Sequence, residues 1–245
     1  MSDPADPADT LSRLQTAVAV ALRDHTDILD PLGKVCRACT ELLPVAGASI
    51  SVMSGTEHRE TLYTSDPVID RIEALQFTLA EGPCFEAFTT GRPVLVADLA
   101  ADSATAWPVF AAQMADEPVG AIFAFPLQLG AARIGAIDMY RHTPGPLAPD
   151  ALATALQLTD IAATALAGLP LTADGEELDY AWFSALPRNR EQVNQAIGML
   201  ISAHTIPADQ ALARLRGYAF ATGRLVDDVA ADLVARRLPP EEIAV

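Results

Sequence analysis

Three consecutive amphipathic segments near the C-terminus constrain the fold most. Val193, Ala196, Ile197, Leu200 and Ile201 recur at i, i+3, i+4, i+7 and i+8. Ala208, Ala211, Leu212, Leu215 and Ala219 follow nearly the same rule, and Val226, Val229, Ala230, Leu233 and Val234 repeat it. That spacing lays one apolar stripe along each helix. Three such stripes close on one another as a small bundle over 187–238, an all-α unit whose remaining surface is free for a partner.

The residues before it alternate between helical and strand patterns. A helical period runs through Leu11, Leu14, Val18, Leu22 and His25, with Thr10 placed to cap it. Asp30-Pro31 breaks that period, and a second helix continues to about Leu43. Residues 48–53 and 61–64 read as strands joined across a turn at 54–57. Pro83 opens a short helix that Gly91 stops, 93–97 reads as a strand, and a helical segment follows at 107–115. Strands at 120–128 and 134–140 are joined by the hairpin turn Leu129-Gly130-Ala131-Ala132. Pro149-Asp150 starts a long helix bearing Leu152, Leu156, Thr159, Ala163 and Leu166 on one face. The predicted organisation is a disordered leader at 1–9, an α+β domain at 10–169, a linker at 170–186, the helical module at 187–238 and a tail at 239–245. The two long helices flanking the sheet can pair within one chain or with a second copy, and a homodimer is expected.

Charge divides the chain in the same place. The formal net charge is −16, and residues 1–186 carry 9 basic and 25 acidic side chains. Residues 187–238 carry 7 arginines and 5 acids. An acidic body repels nucleic acid, so any polyanion must meet the C-terminal module. The N-terminus lacks the apolar segment of a signal peptide, and no run of about 18 apolar residues suits a membrane span. Three cysteines fit a reducing cytoplasm better than a disulfide framework.

Glu81-Gly82-Pro83-Cys84-Phe85-Glu86-Ala87, leading to Gly91-Arg92-Pro93-Val94, resembles the helix-to-strand segment of GAF sensor domains, and Ile134-Gly135-Ala136-Ile137-Asp138-Met139-Tyr140 resembles their final strand pair. Gln195-Ala196-Ile197-Gly198-Met199-Leu200, the segment 208–216, and Leu225-Val226-Asp227-Asp228-Val229-Ala230 resemble, in order, the three helices of ANTAR domains. The resemblance implies an α+β GAF domain, an antiparallel sheet flanked by helices, followed by a three-helix ANTAR domain. It also implies a transcription antiterminator that binds leader hairpins in nascent RNA. The chain departs from the ANTAR pattern at Ile197, where a lysine is usual, at Pro207 (serine) and at Thr222 (asparagine). Losing the lysine removes one phosphate contact.

On that reading the RNA-binding candidates are Arg214, Arg216 and Arg224 for phosphates, Tyr218 for stacking, and the amides of Asn194 and Gln195 for base edges. Arg236 and Arg237 end the third helix, where they also suit its dipole. Cys84, just after Pro83 at a helix start, is a candidate sensing thiol because the helix dipole lowers a thiol pKa there. Cys36 and Cys39, three apart on an apolar face, read as core. No metal spacing links His25, His58, His142 and His204, no cofactor is expected beyond an unknown small ligand of the sensor, and no catalytic motif appears. Two other functions compete. Some GAF proteins reduce free methionine sulfoxide with three cysteines. A DNA-binding three-helix regulator is disfavoured because Asp227, Asp228 and Asp232 make the third helix acidic.

Overall fold

A computed structural model of the chain describes residues 7–24, 29–54, 58–166 and 190–243. Most of the leader, the 55–57 turn, the linker, His25 and Arg188 lie outside the described residues.

The first helix, α1 (Pro7–Asp24), begins before Thr10, with Pro7 in the first turn where its missing N–H costs nothing. Helix α2 (Leu29–Leu42) likewise takes Pro31 into its first turn rather than breaking there. Strands β1 (Gly47–Ser54) and β2 (His58–Thr64) follow, then helices α3 (Pro67–Leu79) and α4 (Pro83–Thr90). Strand β3 (Val94–Val96), helices α5 (Leu99–Ala106) and α6 (Pro108–Met114), strands β4 (Ala121–Leu129) and β5 (Ala132–Arg141), and helix α7 (Pro149–Leu166) complete the first domain. The strands form one antiparallel sheet in the order β2-β1-β5-β4-β3.

Side-chain alternation sorts the sheet into two faces. Ala48, Ile50 and Val52 of β1 and Phe123, Phe125 and Leu127 of β4 pack under α2 and α7, with α1 lying across those two helices through Leu14 and Val18. The opposite face carries Ser49, Ser51 and Met53 of β1, Arg59 of β2 and Asp138 of β5, and is covered by α3 to α6. Gly135 makes the central pairing possible. It sits opposite Val52, and a Cβ there would lie 2.1 Å from the Ser51 carbonyl oxygen.

Sequence periodicity gave no sign of α3. Asp66 caps it, its Oδ1 accepting the Val68 and Ile69 N–H groups at 2.8 and 3.1 Å, and Pro67 stands in its first turn. Tyr140 donates its hydroxyl to the same oxygen at 3.1 Å, tying the helix start to β5. The C-terminal bundle consists of α8 (Glu191–His204), α9 (Ala208–Ala221) and α10 (Val226–Val234), followed by a 3₁₀ turn at Pro240–Ile243. Its core joins Val193, Ala196 and Leu200 to Ala211, Leu212 and Leu215 and to Val229, Ala230 and Leu233. Among the described residues no helix is long and apolar enough to cross a membrane.

Candidate functional site

Two places concentrate chemistry: a sealed polar cluster under α3, and the joint between α3 and the helical bundle.

In the cluster, Arg59 and Glu73 are both buried and form an ion pair. Arg59 also donates to the Glu73 main-chain carbonyl at 3.3 Å and to Cys84 Sγ at 3.2 Å, and its guanidinium lies 5.3 Å from the Phe85 ring centre. The hydroxyls of Ser49, Ser51 and Thr61 converge on the Glu73 carboxylate at 2.8, 2.6 and 3.3 Å. Asp138 Oδ2 lies 3.9 Å from Arg59 and accepts the Gln76 amide at 2.8 Å. Gln76 Oε1 in turn accepts the Cys84 N–H at 2.8 Å, which fixes α4 under Gly82. Gly82 has φ +129°, and a Cβ there would meet Gln76 Oε1 at 2.7 Å, so the residue type and the close approach go together.

Two buried carboxyls beside one arginine cannot both ionise cheaply. Burial opposes the Glu73 charge, but Arg59 and hydrogen bonds from Asp138, Ser51 and Ser49 outweigh it and hold Glu73 below its ordinary range. Burial, then the Glu73 charge, push Asp138 well above the carboxylate range. Arg59 thus favours the charged form of Glu73, while burial beside that charge favours the neutral form of Asp138. Serines 49 and 51, alternating with Ala48, Ile50 and Val52, and Asp138, lone in an apolar strand, were the cluster's only traces in the sequence.

Cys84 belongs to this cluster, and its thiol moves opposite to the helix-start expectation. Burial pushes it well above the ordinary 9.0, and Arg59 offsets only part of that. Burial likewise pushes Cys36 well above 9.0 and Cys39 up to about 12. All three thiols are free and buried. An Ellman titration of the native protein is therefore expected to release almost no thiolate within minutes, and three equivalents in denaturant. Rapid native labelling of any cysteine would contradict this burial. Among the described residues no group of three or more His, Cys, Asp or Glu is arranged to hold a metal ion.

The bundle distributes its polar residues unevenly. Asn194 and Gln195 are exposed on α8, Gln195 donating to Glu191 at 3.1 Å. Arg214 is half-buried on α9 and makes no ion pair or side-chain hydrogen bond with the described residues. Tyr218 is half-buried against the bundle core, whereas Phe220 is 57% exposed. Arg224 pairs with Asp232 at 2.6 Å, and Arg237 reaches the same carboxylate at 2.7 Å. Arg190 is buried and pairs with Asp227 at 2.6 Å. Arg216 points at the first domain: its Nε–H donates to the Phe77 carbonyl at 3.0 Å.

A family model described as the GAF domain matches residues 25–167, more than half of the chain. The chain belongs to the GAF domain family. A second model, the ANTAR domain, matches residues 185–234. This pairing of a GAF sensor domain with an ANTAR domain is the architecture of a regulatory protein. No curated protein sequence matches the chain. Among solved structures, the GAF domain of a phosphoenolpyruvate-protein phosphotransferase from Coxiella burnetii is similar in fold, with a TM-score of 0.53 and 16% identity over 68% of this chain and 95% of that one. A free methionine-R-sulfoxide reductase from Neisseria meningitidis, solved with its substrate, aligns with a TM-score of 0.48 and 15% identity over 69% of this chain and 93% of that one.

The GAF and ANTAR domains meet along α3. Phe77, 3% exposed, enters the ANTAR core beside Val193 and Leu215. Arg190 and Arg216 converge on its ring at 3.9 and 4.8 Å from the ring centre. Thr78 Oγ1 accepts the Val226 N–H at 3.1 Å, satisfying one donor at the start of α10.

Proposed function

We propose that this protein is a cytoplasmic transcription antitermination regulator: the ANTAR domain binds hairpin RNA in nascent transcripts and the GAF domain supplies the signal. The ANTAR match carries the reading, and two features of the chain support it. The acidic side chains concentrate in residues 1–186, so the arginine-bearing module is the surface a polyanion can approach. On that module Arg214 pairs with no carboxylate among the described residues, and Asn194 and Gln195 present amides to solvent, suited to base edges of an unpaired loop. Asp227 and Asp228 in the first turn of α10 oppose insertion of that helix into a DNA major groove.

The test is a gel-shift titration with a synthetic RNA carrying two adjacent stem-loops, against duplex DNA of equal length. RNA is expected to bind at least tenfold tighter, and equal or stronger DNA binding would sink the reading. Arg214→Ala should weaken RNA binding and flatten the slope of log K against log salt by about 0.7. An unchanged slope removes Arg214 from the interface.

We also propose that the protein acts as a homodimer. Val20 on α1 and Leu156 on α7, 40% and 43% exposed, leave apolar surface on two adjoining helices. A second copy covering it would bring two ANTAR domains to one RNA, and linked modest sites gain avidity. Multi-angle light scattering at micromolar concentration should give twice the chain mass of 25.9 kDa; the monomer mass would refute the dimer.

A further inference from the structure

Phe220 is the most exposed large apolar side chain among the described residues, at 57%. It lies on α9, and its ring is not part of the bundle core. Tyr218, two residues earlier, packs partly against that core instead. Residues three apart are neighbours on a helix surface, so Arg214, Gly217 and Phe220 form one row along α9. Glycine is, after proline, the weakest helix former, and the fold does not call for it at 217. Its φ is not positive, and a Cβ there would meet nothing within 4 Å. What the missing side chain does is leave room in a groove. That groove, of about 290 Å³, is lined by Gly217 and Phe220 from the ANTAR domain and by Thr78, Leu79 and Val109 from the GAF domain.

Charge around the groove sorts what can occupy it. Arg214, the first residue of the row, pairs with no carboxylate among the described residues and can meet a phosphate. Glu81 lines the groove itself, one carboxylate oxygen accepting the Phe110 N–H at 2.8 Å. A carboxylate repels phosphate but accepts from amino and imino groups, so it suits the edge of a base. Arg216 also lines the groove, yet its guanidinium stays on the Phe77 carbonyl and ring, and the occupant needs nothing from it.

We propose that Phe220 is the stacking platform for one unpaired base of the hairpin loop, which lodges in the groove over Gly217 with a neighbouring phosphate at Arg214; the proposal rests on the RNA-binding reading. Bases of RNA loops are recognised by turning out of their own stack onto aromatic rings, and Phe220 is an aromatic ring left bare beside a space of that shape. Because Thr78, Leu79 and Val109 belong to the GAF domain, the base site is complete only while the two domains are joined as here. The sensor domain then touches the RNA directly.

The experiment uses the full chain, the two-stem-loop RNA, and a set of RNAs each lacking one loop base. Phe220→Ala should weaken binding about tenfold, the scale of one stacked base, with the slope of log K against log salt unchanged because no charge is lost. Phe220→Tyr should keep most of the affinity. Gly217→Leu places a side chain in the open space, so it should weaken binding while the thermal midpoint holds or rises. That variant separates a lost contact from a damaged fold. Removing the one base that stacks should weaken the wild type about as much as Phe220→Ala does, and should cost that variant nothing further. Wild-type affinity in both Phe220→Ala and Gly217→Leu overturns the stacking site and leaves the antiterminator reading standing. A loss in Phe220→Ala that adds to the loss from every base removal overturns it as well. A fall in the light-scattering mass of Phe220→Ala relative to the wild type assigns the ring to a second copy of the chain, and overturns it too. No RNA binding by the wild-type chain at low salt overturns the antiterminator reading, and the stacking site with it.

Discussion

Arg59→Met is expected to lower the unfolding free energy by about 3–5 kcal/mol, the cost of leaving a buried ion without its partner. The substitution keeps an unbranched side chain of similar length in the cavity but removes the only cation in contact with Glu73 among the described residues. Glu73 must then either stay charged among hydroxyls or take up a proton. Its folded pKa rises above the unfolded value, so the deficit is largest near neutral pH and shrinks as pH falls. Urea denaturation followed by near-ultraviolet circular dichroism at two pH values measures both effects. A loss below about 1 kcal/mol at pH 7, the scale of an exposed pair, would mean that the cluster admits water. Asp138→Asn is the matching control. An amide at 138 can still accept from Gln76 and places no charge beside Glu73, so its cost should stay at about 1 kcal/mol. The signs of the two carboxyls differ. Glu73, lowered in the fold, contributes stability that is present above the ordinary 4.5 and lost as pH falls through its folded value. Asp138, raised in the fold, contributes stability that is full below the ordinary 3.8 and lost as pH rises through its elevated value. Asparagine removes the second dependence, so the variant should gain on the wild type as pH is raised.

Gly135→Ala is expected to cost about 3 kcal/mol or more, the upper range for overpacking. The new methyl carbon would stand 2.1 Å from the Ser51 oxygen and 2.9 Å from Val52 Cα, both main-chain atoms that no rotamer change can move. Relief requires β1 and β5 to separate at the centre of the sheet, where Ser51 pairs with Ala136 and Val52 with Gly135. The damage should spread to the cluster, since β1 supplies Ser49 and Ser51 and β5 supplies Asp138. A drop in thermal midpoint of several degrees checks this, and a variant as stable as the wild type would show that the two strands are not so close. Gly130→Ala is the comparison. Nothing lies within 4 Å of a Cβ there, and only the φ of +60° resists the change, so its cost should be nearer 1 kcal/mol.

The sheet was legible because β1 alternates small polar with apolar residues, β4 and β5 are near-continuous apolar runs, and Gly130 and Ala131 mark a two-residue turn between Leu129 and Ala132. The C-terminal bundle was legible because each helix has one buried stripe. Helix α3 was not, although Asp66-Pro67 is a start signal. Its buried positions include Ile69, Ile72, Glu73, Leu75, Gln76, Phe77 and Thr78, spread around the helix because two bodies cover it. No single stripe survives such burial, and the side facing the cluster is polar. The same cause hid the site. Arg59 and Glu73 look like ordinary surface charges until the sheet and α3 bring them to Asp138. Arg216 and Arg224 were legible as arginines on the C-terminal module, but charge spacing alone does not reveal that one faces the GAF domain and the other pairs with a carboxylate eight residues on.

The Phe77 carbonyl is among the last four of α3, the ones a helix cannot satisfy from within, and the partner it uses is a side chain of the other domain. Thr78 returns the favour to the first turn of α10. Each domain thus finishes a helix end of its neighbour, and the two are incomplete as separable cassettes. A sensor fragment ending before the linker would keep α3 whole but leave its Phe77 carbonyl without the Arg216 donor and its Phe77 ring without the ANTAR core, so a ligand screen on that fragment would sample a different resting shape. Grafting the ANTAR domain onto another sensor would leave its Val226 N–H without the Thr78 hydroxyl and its core without the Phe77 ring.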